Sequence, residues 1–129
     1  MIVVDASAIA EVLLQTPSAA AVESRIFAGD SLHTPFLIEV EIAQTLRRYA
    51  LAGAMSERRG AQALQIFVAM PIERHEHEPL LDRIWRLRNN FSAYDAAYVT
   101  LAEILQAPLI TRDSRLARST GSRAAIELI

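Results

Sequence analysis

The chain opens on an unbroken apolar run at residues 2–4 that stops at a carboxylate, Asp5. Such a run is short enough for a buried strand. Residues 6–14 and 17–28 then carry apolar positions at helical spacing, and "DSLHTP" holds a second strand near 31–33. Thr34 followed by Pro35 reads as a helix cap and first helical residue, opening a helix to about residue 51. Ser56 caps another helix to about 69, "PIERH" is a brief strand, and "EPLLDRIWRLRN" is a helix. Ser92 opens a helix to about 105, "PLIT" is a strand, and "AIELI" is the last one. Short apolar strands alternating with helices predict an α/β fold: a short parallel sheet, right-handed crossovers, and helices on both faces. No repeat or linker divides the chain, so residues 1–129 are expected to form one domain.

Open sheets of this kind build their sites at the carboxyl ends of strands. Asp5 follows the first strand and Asp113 follows "PLIT" by two residues. Asp95 is the third residue beyond Ser92, at the start of its helix. Each acid has a structural reading by itself. Asp5 and Asp113 can cap helices, and S-x-x-D resembles a capping box. In "TPFLIEVEIAQTLRRY" the arc of Ile38, Ile42, Ala43, Leu46, Tyr49 and Ala50 encloses Glu39, while Glu41 falls opposite, beside Gln44 and Arg48. Periodicity therefore marks Glu39 as the unusual acid and Glu41 as solvated, and does not choose between them for chemistry. Carboxylates gathered in one pocket would raise one another's pKa until a cation neutralised them. With only oxygen donors, that cation would be Mg²⁺ or Mn²⁺, suited to metal-assisted phosphoryl chemistry.

Composition narrows the alternatives. The 52% hydrophobic content suits a globular chain of this size. There is no cysteine, which removes disulfides, thiolate metal sites and cysteine nucleophiles. No apolar run approaches the roughly 20 residues of a membrane span, and no basic segment precedes the first apolar stretch, so a cytoplasmic protein is expected. The net charge of −2 provides no general attraction to nucleic acid. All 13 basic residues are arginine. Without lysine, and with Ser7 where a second aspartate would stand, the phosphatase and receiver-domain chemistries of related folds lack a required group. No G-K-[ST] or G-x-G-x-x-G motif is present.

Four segments, "IVVDASA", "EIAQTLRR", "SAYDAAYVTLAE" and "LITRDSRLAR", occur in that order over nearly the whole chain. In this the chain resembles the PIN-domain family, and specifically the VapC-type toxins of toxin–antitoxin pairs. The resemblance implies a Mg²⁺- or Mn²⁺-dependent endoribonuclease using a metal-activated water, with metal-binding acids at Asp5, Glu41, Asp95 and Asp113. It is the resemblance that selects Glu41 over Glu39. It also implies a homodimer and a cognate VapB-type antitoxin whose C-terminal segment crosses the site. Ser7 and Thr111 stand beside two of the acids and could bond a carboxylate from behind. Arg112 and Arg115 flank Asp113 and are the candidate RNA contacts. His75 and His77, with no third histidine in register, read as exposed loop or strand-end residues. Leu81 and Trp85 read as core or dimer contacts. The rival reading is a non-catalytic PIN-like module that binds RNA or a protein.

Overall fold

A computed structural model describes residues 1–129. Strand β1 (Ile2–Val4) leads through α1 (Ala6–Leu14) and α2 (Ala19–Ile26) to β2 (Leu32–Pro35). Helices α3 (Ile38–Leu51) and α4 (Glu57–Ala69) connect β2 to β3 (Ile72–His75). A 3₁₀ turn (Glu78–Leu80), α5 (Leu81–Arg86) and α6 (Ala93–Leu105) then lead to β4 (Leu109–Thr111). Short α7 (Ser114–Ala117) precedes β5 (Ile126–Leu128). No helix is long and apolar enough to cross a membrane.

The five strands are parallel in the order β3-β2-β1-β4-β5. The chain first winds outward from β1 to β2 and β3, then returns across the sheet to β4 and β5. Right-handed crossovers therefore place α1–α4 on one face and α5–α7 on the other. The direction of winding reverses between β1 and β4, where an open sheet leaves a crevice beyond its strand ends.

Burial explains why the central elements form. Ile2, Val3 and Val4 are at most 1% exposed, as expected of a strand covered on both faces. The stretch of α6 from Ala96 to Ala102 is buried throughout, and this helix packs on both β1 and β2. Its small residues, Ala96, Ala97 and Ala102, suit that close approach. Both α1 and α6 end on a glutamine in the left-handed region, Gln15 and Gln106.

Several boundaries differ from the sequence reading. Thr34 and Pro35 do not start a helix. They finish β2, and α3 begins at Ile38 without a side-chain cap. Pairing with Arg74 and His75 of β3 takes precedence there over local cap preference. The "EPLLDRIWRLRN" helix is split into the 3₁₀ turn and α5. Leu81 and Trp85 are exposed, at 55% and 68%, so neither belongs to the core. The buried stripe of α3 is Ile38, Ile42 and Leu46, while Ala43 and Tyr49 are exposed. Glu39 and Glu41 consequently flank opposite sides of that stripe. Glu39 pairs with Arg74 at 3.1 Å, and Glu41 turns toward α6. The histidines also differ: His75 meets a third histidine, His33 of the neighbouring strand, and the Nε2 of His77 accepts the Leu37 N–H.

Candidate active site

The end of β1 delivers Asp5 to the crevice at the reversal point, with its backbone N–H still bonded to Ile110 of β4 at 3.2 Å. Asp5 is the cap of α1, accepting the Ala8 N–H at 3.0 Å. That role uses only part of its carboxylate. The same oxygen, Oδ1, accepts the Ser7 hydroxyl at 2.6 Å, and Oδ2 accepts the Thr111 hydroxyl. Asp5 is only 6% exposed. Burial pushes its pKa above the usual carboxylate range against these three hydrogen bonds, and the charge of Asp113 adds to the rise.

The end of β4 supplies the other half. Thr111 accepts the Asp113 N–H at 2.9 Å, so one hydroxyl couples Asp5 to the turn that carries Asp113. Asp113 caps α7 through Oδ1, which takes the N–H groups of Arg115 and Leu116. Its Oδ2 is left to meet the Arg115 guanidinium at 3.0 Å. Ser7 closes this network by accepting the Arg112 N–H at 2.9 Å. Ser7 and Thr111 therefore both stand against Asp5.

Asp95 enters from α6. Ser92 caps that helix by accepting the Asp95 N–H at 3.1 Å. The Asp95 side chain does not complete a capping box: its Oδ2 accepts the same Arg115 Nη2 at 2.9 Å. One guanidinium thus lies across two carboxylates supplied by different elements. Burial is the largest cause of a raised pKa at Glu41, followed in the same direction by the charges of Asp5 and Asp95. The Tyr98 hydroxyl opposes this by donating to Glu41 Oε1 at 2.7 Å.

The four predicted acids are thus electrostatic neighbours, though no three of them bring ligand oxygens within 4.8 Å of one another, as the ligand atoms of His33, Glu73 and His75 are. Their donor set is entirely oxygen, which fits a hard divalent cation. Arg115 already supplies positive charge across two of them, as a cation in the crevice would. Arg112 is engaged elsewhere: it donates to Ser18 and the Ile129 carbonyl and lies 3.7 Å from Glu11.

Tyr98 is the site residue that sequence reasoning missed. It lies three positions beyond Asp95 in "SAYDAAYVTLAE", on the same side of α6. The available signal was a phenol amid small apolar residues, because a buried tyrosine hydroxyl requires a partner.

Comparison with known proteins agrees with this architecture. The family model described as "PIN domain" matches residues 2–121. Ribonuclease VapC12 of Mycobacterium tuberculosis is 40% identical over 129 residues, covering 100% of this chain and 99% of that protein. Among solved structures, PAE2754 from Pyrobaculum aerophilum superposes with a TM-score of 0.74 at 23% identity, covering 97% of this chain and 81% of that one. VapBC2 from Rickettsia felis, bound to a DNA fragment from its promoter, gives 0.72 at 12% identity, covering 99% and 98%. By its strand order, its family match and its full-length likeness to a VapC ribonuclease, the chain belongs to the PIN-domain family.

Proposed function

We propose that this chain is a divalent-metal-dependent endoribonuclease, the toxin of a VapBC-type toxin–antitoxin pair. The observation that carries this reading is that Asp5, Glu41, Asp95 and Asp113, supplied by four separate elements, lie close enough to act on one another's charge or to share the Arg115 guanidinium. Burial is the main cause of the raised proton affinity of Asp5 and Glu41, and the charge of Asp113 adds to it at Asp5, as those of Asp5 and Asp95 do at Glu41. Such an arrangement is unfavourable unless it serves to hold positive charge. The 40% identity over 129 residues with a protein named as a ribonuclease supports RNA as the substrate.

The four carboxylates would hold Mg²⁺ or Mn²⁺, which supplies Lewis-acid charge and an activated water for phosphodiester hydrolysis. The chain's own residues prepare the place. Ser7 and Thr111 fix both oxygens of Asp5, and Tyr98 fixes Glu41 and favours its ionised form. Arg115, with 65% of its side chain exposed, neutralises Asp95 and Asp113 and has donors suited to a phosphate oxygen. A cluster that accepts one guanidinium can accept another, so a basic side chain from a VapB-type antitoxin would block it. The functional assembly on this reading is a homodimer, joined by antitoxin into a larger complex.

The test is cleavage of RNA by the purified chain. Cutting should require Mg²⁺ or Mn²⁺, cease in EDTA, and be lost in Asp95→Asn. The products should carry a 5′-phosphate and a 3′-hydroxyl, because water attacks phosphorus directly. A 2′,3′-cyclic phosphate formed in EDTA, or full activity in Asp95→Asn, would overturn the mechanism. Metal-independent RNA binding without cleavage would favour a non-catalytic module.

A further inference from the structure

The second concentration of ligand-type side chains lies on β2 and β3, apart from the four acids. His33 is paired laterally with Glu73, and His75 follows Glu73 by two residues. Side chains alternate along a strand, so all three project from the same face of the sheet. His33 Nδ1 and His75 Nε2 face each other at 2.9 Å. The Glu73 carboxylate reaches toward both, with Oε2 3.7 Å from His33 Nδ1 and Oε1 3.8 Å from His75 Nε2. These are the only three or more His, Cys, Asp or Glu residues whose ligand atoms all fall within 4.8 Å of one another.

Two imidazole nitrogens directed at each other either share one N–H as a hydrogen bond or stand ready to bind one metal ion. Zn–ligand bonds of about 2.0–2.1 Å at tetrahedral angles place neighbouring ligand atoms roughly 3.4 Å apart. The three observed separations bracket that value. His33 is only 5% exposed, and Ser31 Oγ lies 2.9 Å from its Nε2. That contact holds the outer nitrogen and aims Nδ1 inward, as a supporting hydrogen bond does for a metal-binding histidine. Burial lowers the pKa of His33, favouring the neutral imidazole that binds metal. Glu73, 67% exposed, leaves the outer side open to solvent.

We propose that His33, Glu73 and His75 form a second metal site, for Zn²⁺ or a similar imidazole-preferring ion, completed by one water. Two imidazoles and one carboxylate select against Mg²⁺, so this site and the acidic crevice take different ions. Its structural consequence is local. β3 is an edge strand held to the sheet by β2 alone, and a bound ion pins the two together.

The test uses the full chain without a histidine tag, in excess Mg²⁺ to occupy the acidic crevice. Zn²⁺ titrated by calorimetry should bind at one equivalent and raise the melting temperature. His75→Gln should weaken binding at least about 100-fold and Glu73→Gln about 10-fold, since losing even a supporting contact costs 10- to 100-fold. In nitrogen-detected NMR of the wild type, ring signals of His33 and His75 should move together on Zn²⁺ addition. This last readout stands even if His75→Gln does not fold. No binding, unmoved imidazole signals, or affinity unchanged in Glu73→Gln would overturn the site and leave a hydrogen-bonded histidine pair.

Discussion

Tyr98→Phe isolates one hydrogen bond in the acidic crevice. Tyr98 is 2% exposed, so phenylalanine fills the same space and removes only the hydroxyl that donates to Glu41 at 2.7 Å. A hydrogen bond to a charged group contributes about 1.5–3 kcal/mol. The direction of the pH effect follows. Burial, Asp5 and Asp95 already raise the Glu41 pKa, and the Tyr98 bond restrains it. Without the hydroxyl the pKa rises further, and the acidic limb of the cleavage–pH profile should move to higher pH. The assay is a double-mutant cycle of Tyr98→Phe and Glu41→Gln, read as Mg²⁺ affinity and as cleavage rate against pH. A coupling above about 1.5 kcal/mol is expected between groups in direct contact. A coupling below about 0.5 kcal/mol with an unmoved pH profile would refute the role assigned to Tyr98.

Two further outcomes concern stability in EDTA. Asp5 and Glu41 have raised folded-state pKa values, so their contribution is fully present below about pH 4 and is lost as pH rises through those values. Asp5→Asn, which retains an oxygen for the Ala8 cap, should therefore melt above the wild type at pH 8, the difference shrinking toward pH 4; a lower melting temperature throughout would show that capping dominates. Glu103 has the opposite sign. Its pKa is lowered, first by Arg83, which binds it through two contacts of 2.8 and 2.9 Å. Its stabilisation is present above the ordinary glutamate pKa and is lost as pH falls through the lowered folded value. Glu103→Gln should cost about 1.5–3 kcal/mol at neutral pH by urea denaturation, with little difference from wild type in strong acid.

The apolar runs by themselves determined the class of fold. Residues 2–4 and 109–111 are short and rich in β-branched side chains, as suits buried strands, and the helical spacing between strands requires crossovers. Strand-end position alone drew attention to Asp5 and Asp113. What one-dimensional pattern could not settle was direction around a helix whose two flanks meet different neighbours. Glu39 and Glu41 lie on either side of the Ile38–Ile42–Leu46 stripe, and only the placement of Arg74 beside one and Tyr98 beside the other separates them. Sequence resemblance, not periodicity, singled out Glu41. The same limit explains Thr34 and Pro35, where pairing with β3 overrides a sound local cap signal. It explains His33 too, 42 residues from His75 in the chain yet 2.9 Å away in space. Helix and strand formation depend on neighbours in sequence, whereas the proton affinity of a carboxylate and the meeting of two imidazoles depend on neighbours in space. Those are decided by the spatial order of the strands in the sheet and the packing it imposes.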